Sequence, residues 1–143
     1  MERFDKLLEK DIEGYQGEHS RLIGQAPALY RLMSRLLGDP ALPRSMWKLV
    51  IAAIAYFIMP KDVIPEEIHG PKGYVDDIFL CALVADRVRE ATGSDEILMR
   101  NWGGDLPVVP LIQEIITSEK DLVGDEGEAI LRCVGFDELV ESP

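Results

Sequence analysis

Apolar residues along this chain recur at three- and four-residue steps, and nowhere do they alternate for long enough to make a good strand. Phe4, Leu7, Leu8, Ile12 and Tyr15 repeat at helical spacing among acidic and basic residues, until Gly14 and Gly17 weaken the pattern. A second helix reads from about Ala26 to Leu37, with Leu29, Met33, Leu36 and Leu37 as its stripe. Pro27 suits its first turn, and Gly38-Asp39-Pro40 stops it. Ser45 is placed to cap a third helix, uninterrupted by charge from Leu49 to Met59 and ended by Pro60. A fourth runs from near Tyr74 to about Ala91, wholly apolar from Ile78 to Ala85, with Gly93 behind it. The centres of these two helices are apolar all round, the pattern of helices buried on most sides. Ser94-Asp95-Glu96 opens a short helix that turns Ile97, Leu98 and Trp102 inward. Leu106 to Leu122 holds another, starting after Pro107 or Pro110, with Leu111, Ile112, Ile115 and Ile116 as its buried face. Asp125 to Val134 adds a last amphipathic turn or two.

The expected architecture is all-α: a compact helical bundle of five to seven helices around a central antiparallel helical hairpin, formed by the third and fourth helices. Ile51, Ile54, Ile58, Ile78, Ala82, Leu83 and Val88 are its expected core, with Trp47, Trp102 and Ile115 packed around them. No internal repeat or linker divides the chain, so residues 1–143 read as a single domain, those after Gly93 forming an appended helical cover. The longest charge-free stretch, Leu49 to Met59, would span roughly 16 Å as a helix, against about 30 Å of bilayer hydrocarbon. The pair therefore reads as core helices, with no transmembrane span.

Composition narrows the function classes. With 47% hydrophobic residues the chain can bury a core, and its formal net charge of -11 argues against general nucleic-acid binding. Two cysteines, Cys81 in an apolar run and Cys133 near the C-terminus, do not make a disulfide framework. They read as free thiols, and the charged start of the chain shows no secretory signal, so the expected compartment is cytoplasmic.

The connection between the two apolar helices carries the most information. Pro60 ends one helix and Pro65 stiffens the segment beyond it. Asp62 can cap a short turn, and Asp76 and Asp77 open the outgoing helix, where negative charge meets the positive end of the helix dipole. Tyr56, Pro60, Asp62, Pro65, Gly73, Asp76 and Asp77 together resemble the YkvA-like domain, a family of unknown function whose pattern is Tyr, Pro-x-Asp-x-x-Pro-Asp, Gly and a paired Asp-Asp. The likeness extends more weakly over about residues 30–91. Glu66 stands where the family usually has Asp, and the segment between Pro65 and the aspartate pair is one residue longer. The resemblance implies a helical hairpin and no activity. Relatives occur as small bacterial proteins, and beside other modules in some membrane proteins.

Three functional readings remain open. The first is a non-enzymatic interaction or scaffold domain, binding a protein partner or a second copy. The second is a peripheral membrane protein using the cationic helix 26–37, where Arg31 and Arg35 share a face; pairing with acidic residues of the same chain is the alternative use of these arginines. The third is a divalent-metal site at Asp62, Asp76 and Asp77, with capping as the competing role. No cofactor is implied. No nucleophile is placed to use His69 in its loop, and no glycine-rich phosphate loop is present, so enzyme function is not expected. The cation reading requires that millimolar Mg²⁺ or Ca²⁺ raise the melting temperature and that Asp76→Asn abolish the rise. A melting temperature unmoved by either ion eliminates it.

Overall fold

The computed structural model describes residues 6, 9, 10, 12, 20–58 and 75–118, with residues 20, 57, 58, 75 and 76 described in backbone only. Among the described residues there is no strand, and six helices have both ends described: α1 Ser20–Ile23, α2 Ala26–Leu37, α3 Arg44–Ile58, α4 Val75–Thr92, α5 Glu96–Asn101 and α6 Val108–Thr117. The fold is all-α. Of the helix expected near the N-terminus, Lys6, Glu9, Lys10 and Ile12 are described, and all four are helical.

Local chemistry accounts for most helix ends. Pro27 lies in the first turn of α2, where its missing N–H costs no helical bond. Gly38 follows α2 with φ -91°, an ordinary right-handed conformation. Helix α2 therefore stops without a left-handed glycine: the Gly38 N–H bonds to Arg35 O at 3.1 Å and the Asp39 N–H to Leu36 O at 3.0 Å, tightening the last turn before Pro40. Helix α3 starts at Arg44, so Ser45 lies inside its first turn and is not the cap the sequence suggested. Pro43 precedes the helix, and its carbonyl accepts the Met46 N–H at 2.9 Å. Gly93 closes α4 with φ 69°, the left-handed cap that glycine adopts without a Cβ penalty, and its N–H reaches Arg89 O at 2.9 Å. Helix α5 follows at once, with Ser94 Oγ accepting the Glu96 N–H at 3.1 Å. Helix α6 begins after Pro107 and ends at Thr117, earlier than the pattern suggested. The amphipathic stretch expected over Asp125 to Val134 lies outside the described residues.

The core is organised around α4, which packs against each of the other five helices. Ile78, Phe79, Leu80, Cys81, Ala82, Val84, Ala85 and Val88 are all buried on it, so its burial extends around the helix. Helix α2 brings Leu29, Tyr30, Leu32, Met33 and Leu36 to the same cluster, and α6 brings Leu111, Ile112 and Ile115. The helices after Gly93 thus share one core with α2, α3 and α4.

The expectation for α3 was wrong on one side. Leu49, Val50, Ala53, Ile54 and Tyr56 are buried, but Ile51 is 49% exposed and Trp47 42% exposed. Helix α3 packs on α2 and α4, so one arc of its apolar surface stays in solvent. Leu83 is half-buried, packed at the edge of the core, and the side chain of Ile58 is not among those described.

Trp102 is half-buried, with its Nε1 donating to Leu106 O at 2.7 Å. That bond holds the indole across the backbone of Gly104, where a Cβ would sit 2.3 Å from the ring carbon Cζ2. At neighbouring Gly103 a Cβ would meet only the Arg35 guanidinium, at 3.0 Å, the free end of a flexible side chain. Gly104→Ala is therefore expected to destabilise the protein by about 1–3 kcal/mol, through displacement of the ring. Gly103→Ala should cost clearly less. Thermal unfolding of the two variants side by side measures the difference, and equal losses would contradict this account of the turn.

Candidate functional site

The motif residues divide between the described helices and the connection. Tyr56 sits in the last turns of α3 and is fully buried. Asp76 and Asp77 occupy the first turn of α4, where exposed backbone N–H groups and the helix dipole favour a carboxylate. Asp77 is 1% exposed, the one buried charged residue among those described. Cys81, one turn further on, is a buried free thiol. Burial pushes its pKa well up, and the negative charge of Asp77 adds to the shift. The side chain is enclosed in the core, where the neutral thiol is favoured. Pro60, Asp62, Pro65, Gly73 and His69 lie outside the described residues, as does the side chain of Asp76. Among the described residues no three His, Cys, Asp or Glu side chains are grouped to hold a metal ion.

Tyr56 and Asp77 thus stand at the two described ends of the motif, both enclosed. Residues 46–83 match the family model of a protein of unknown function (DUF1232). YkvA-like is a name of that family, so the resemblance drawn from the motif holds for this segment. The DUF1232 segment covers α3 from Met46 and the first half of α4. A wider likeness links the chain to the uncharacterized protein ORF9 of Methanothermobacter thermautotrophicus, 28% identical over 132 residues, which cover 92% of this chain and 90% of that protein. That likeness extends past the DUF1232 segment into the helices after Gly93. No solved structure matches the chain.

Outside the DUF1232 segment, the arginines of α2 are engaged within the molecule. Arg31 donates to Glu9 in an ion pair, and Arg35 Nη1 donates to Asn101 O at 3.3 Å. Arg21 pairs with Glu114 at 2.6 Å. The described acidic partners of this cationic stretch are Glu9 and Glu114, and the acidic residues from Glu119 on lie outside the described residues. Arg31 and Glu9 also line an open cleft of about 460 Å³ at the start of α2, together with Gly103, Gly104 and Asp105. Its described ionisable lining is Glu9, Arg31 and Asp105, with no Ser, Cys or His among them.

The α3 face left in solvent has a different character. Arg44, Trp47, Lys48, Ile51 and Ala55 are exposed, and at about 100° per residue they fall within an arc of about 100°. The Arg44 guanidinium lies over the Trp47 ring, 5.3 Å from its centroid, which holds cation and indole side by side. No acidic residue occurs in α3. Sequence reasoning assigned Trp47 and Ile51 to the core because an apolar helix centre does not reveal how many neighbours will cover it. The weaker signal was the cation pair Arg44 and Lys48 beside them.

A polar clamp, also missed, joins the turn after α2 to α5. Asp39 accepts from Arg100 Nε and Nη2, each at 2.8 Å, from Asn101 Nδ2 at 2.8 Å and from the Ala41 N–H at 2.9 Å. Its side chain is 7% exposed. The Arg100 hydrogen bonds, then those of Ala41 and Asn101, hold its carboxyl well below the usual carboxylate range, and Arg100 is correspondingly raised. Because the folded state favours ionised Asp39, the clamp stabilises the fold fully above the unfolded carboxyl pKa of about 3.9 and loses that contribution as pH falls below it. Asp39→Asn is expected to lower the melting temperature at neutral pH, with the gap to wild type narrowing between about pH 5 and pH 3. Thermal unfolding followed by circular dichroism across that range tests it; a gap independent of pH would refute the clamp.

Proposed function

We propose that this chain is a non-enzymatic interaction domain whose binding face is the exposed side of α3. The observation that carries the reading is the joint exposure of Trp47 and Ile51 on a helix with no acidic residue. Scattered single apolar residues on a surface need no explanation, whereas this reading takes a tryptophan and an isoleucine on one helix face, together with two cations, as a contact surface. Two further features support a binding role over a catalytic one. The motif residues described, Tyr56 and Asp77, are enclosed, which suits a framework for the joint between α3 and α4. The Cys81 thiol is buried and protonated. The reading takes Pro60, Asp62, Pro65, Gly73 and Asp76 as parts of the same framework, and the cytoplasm as its compartment.

The test is photocrosslinking in intact cells, with a diazirine side chain at position 51 and, as control, at exposed position 113 on α6. The expected result is an adduct at position 51, to protein or lipid, that position 113 does not form. Position 51 behaving like the control overturns the proposal. The double variant Trp47→Ala with Ile51→Ser should keep the fold, losing less stability than the 2–5 kcal/mol, roughly, of a fully buried truncation such as Ile54→Ala.

A further inference from the structure

The exposed α3 face also carries information about what covers it. We infer that its occupant is an anionic lipid surface. This rests on the binding role proposed for the same face and names its partner.

The area on offer argues first. Trp47 at 42% exposure, Ile51 at 49% and the small side chain of Ala55 make up the apolar part of the face, whereas a standard protein interface takes about 800 Å² from each partner. A bilayer does not need a large complementary patch, because each apolar side chain that enters the headgroup boundary contributes by itself. The shape argues in the same direction. The face is one side of a single helix, Arg44–Ile58, whose exposed side chains fall within one arc. A single arc can rest on a plane, which does not demand the interdigitating side-chain pattern that a partner helix would.

The charge pattern decides the kind of surface. The chain holds 26 acidic residues against 15 Lys and Arg, yet α3 holds two cations and no acid. Arg44 and Lys48 share the exposed arc with Trp47, and the guanidinium lies 5.3 Å from the indole centroid. Tryptophan beside cations is the composition of a helix lying in a membrane interface, with the ring at headgroup level and the cations on phosphate. The acidic remainder of the molecule is repelled by the same surface, which orients the protein with α3 towards lipid. At physiological salt the screening length is about 8 Å, so charges on the far side of the fold contribute little to the contact. The attachment is peripheral: among the described residues no helix is long and apolar enough to cross a membrane.

The experiment uses the full chain with unilamellar vesicles, either pure phosphatidylcholine or equal parts phosphatidylcholine and phosphatidylglycerol. Cosedimentation at moderate salt measures binding. Because the chain has two tryptophans, Trp102→Phe leaves Trp47 as the single reporter, and the wild-type sedimentation stands if that variant folds poorly. The expected result is binding to the phosphatidylglycerol vesicles only, with a blue shift of Trp47 emission. Trp47→Ala with Ile51→Ser should weaken binding by about tenfold or more, as should Arg44→Glu with Lys48→Glu. Circular dichroism checks that both double variants remain folded. Failure to sediment with phosphatidylglycerol vesicles at both low and moderate salt overturns the inference, as does binding that neither double variant weakens. A concentration-dependent dimer in sedimentation velocity, lost in Trp47→Ala with Ile51→Ser, would assign the face to a second copy instead. Position-51 adducts confined to protein would overturn the lipid assignment while leaving the interaction domain standing.

Discussion

Burying an eighteen-residue helix on nearly all sides is the constraint around which this protein is built. From Ile78 to Val88 the side chains of α4 find apolar neighbours in almost every direction, and a helix can do that only if other elements surround it. Helices α1, α2, α3, α5 and α6 all pack on it, and the bundle is in effect their arrangement around that centre. The covering helices also pack on one another, α2 on α3 and on α5, yet not every face is covered. Helix α3 packs on α2 and α4, and its outer arc, with Trp47 and Ile51, remains in solvent.

Polar groups are used at the edges of this core to tie distant parts of the chain. Asp39 gathers Arg100, Asn101 and the Ala41 N–H, joining the turn after α2 to a helix more than 60 residues later; the Asn101 bond alone spans 62 residues. Arg89 does the same locally, with its Nε donating to Asp95 at 2.6 Å across the Gly93 cap and its Nη1 to Asp86 at 3.1 Å. The Asp95 hydrogen bond comes first among the causes that raise the Arg89 pKa, so this guanidinium stays charged and serves as a brace between α4 and α5. Clamps of this kind satisfy backbone and side-chain groups where helices end, the places at which apolar packing gives least direction.

The arginine-rich stretch around α2 and the face of α3 show opposite uses of positive charge in an acidic protein. Arg21, Arg31 and Arg35 are engaged internally, by Glu114, Glu9 and the Asn101 carbonyl. Arg44 and Lys48 instead stay on the surface beside exposed apolar side chains, with the guanidinium resting on an indole. Charge alone does not separate the two groups, since both are Lys or Arg side chains on helices. Their surroundings do, because an arginine facing a carboxylate is already neutralised and one facing solvent over a tryptophan is available to a partner.

Periodicity and punctuation determined the element list. Helix α2 runs from Ala26 to Leu37 as its stripe and its Gly38-Asp39-Pro40 stop require, and Gly93 closes α4 in the left-handed conformation open to glycine. Each of these depends on residues within a turn of one another, so the chain specifies it without a tertiary partner. The DUF1232 likeness was legible for the same reason, as spaced residues within one segment. What the linear pattern left open was decided between elements. An uninterrupted apolar run over Leu49 to Met59 is compatible with a helix enclosed on every side or on one, and only the number of packed neighbours turned Ile51 and Trp47 outward. Likewise the partner of Asp39 lies at Arg100, a distance in sequence at which no spacing rule operates. Local chemistry set the helices, and the competition among them for a shared core decided which faces remained for function.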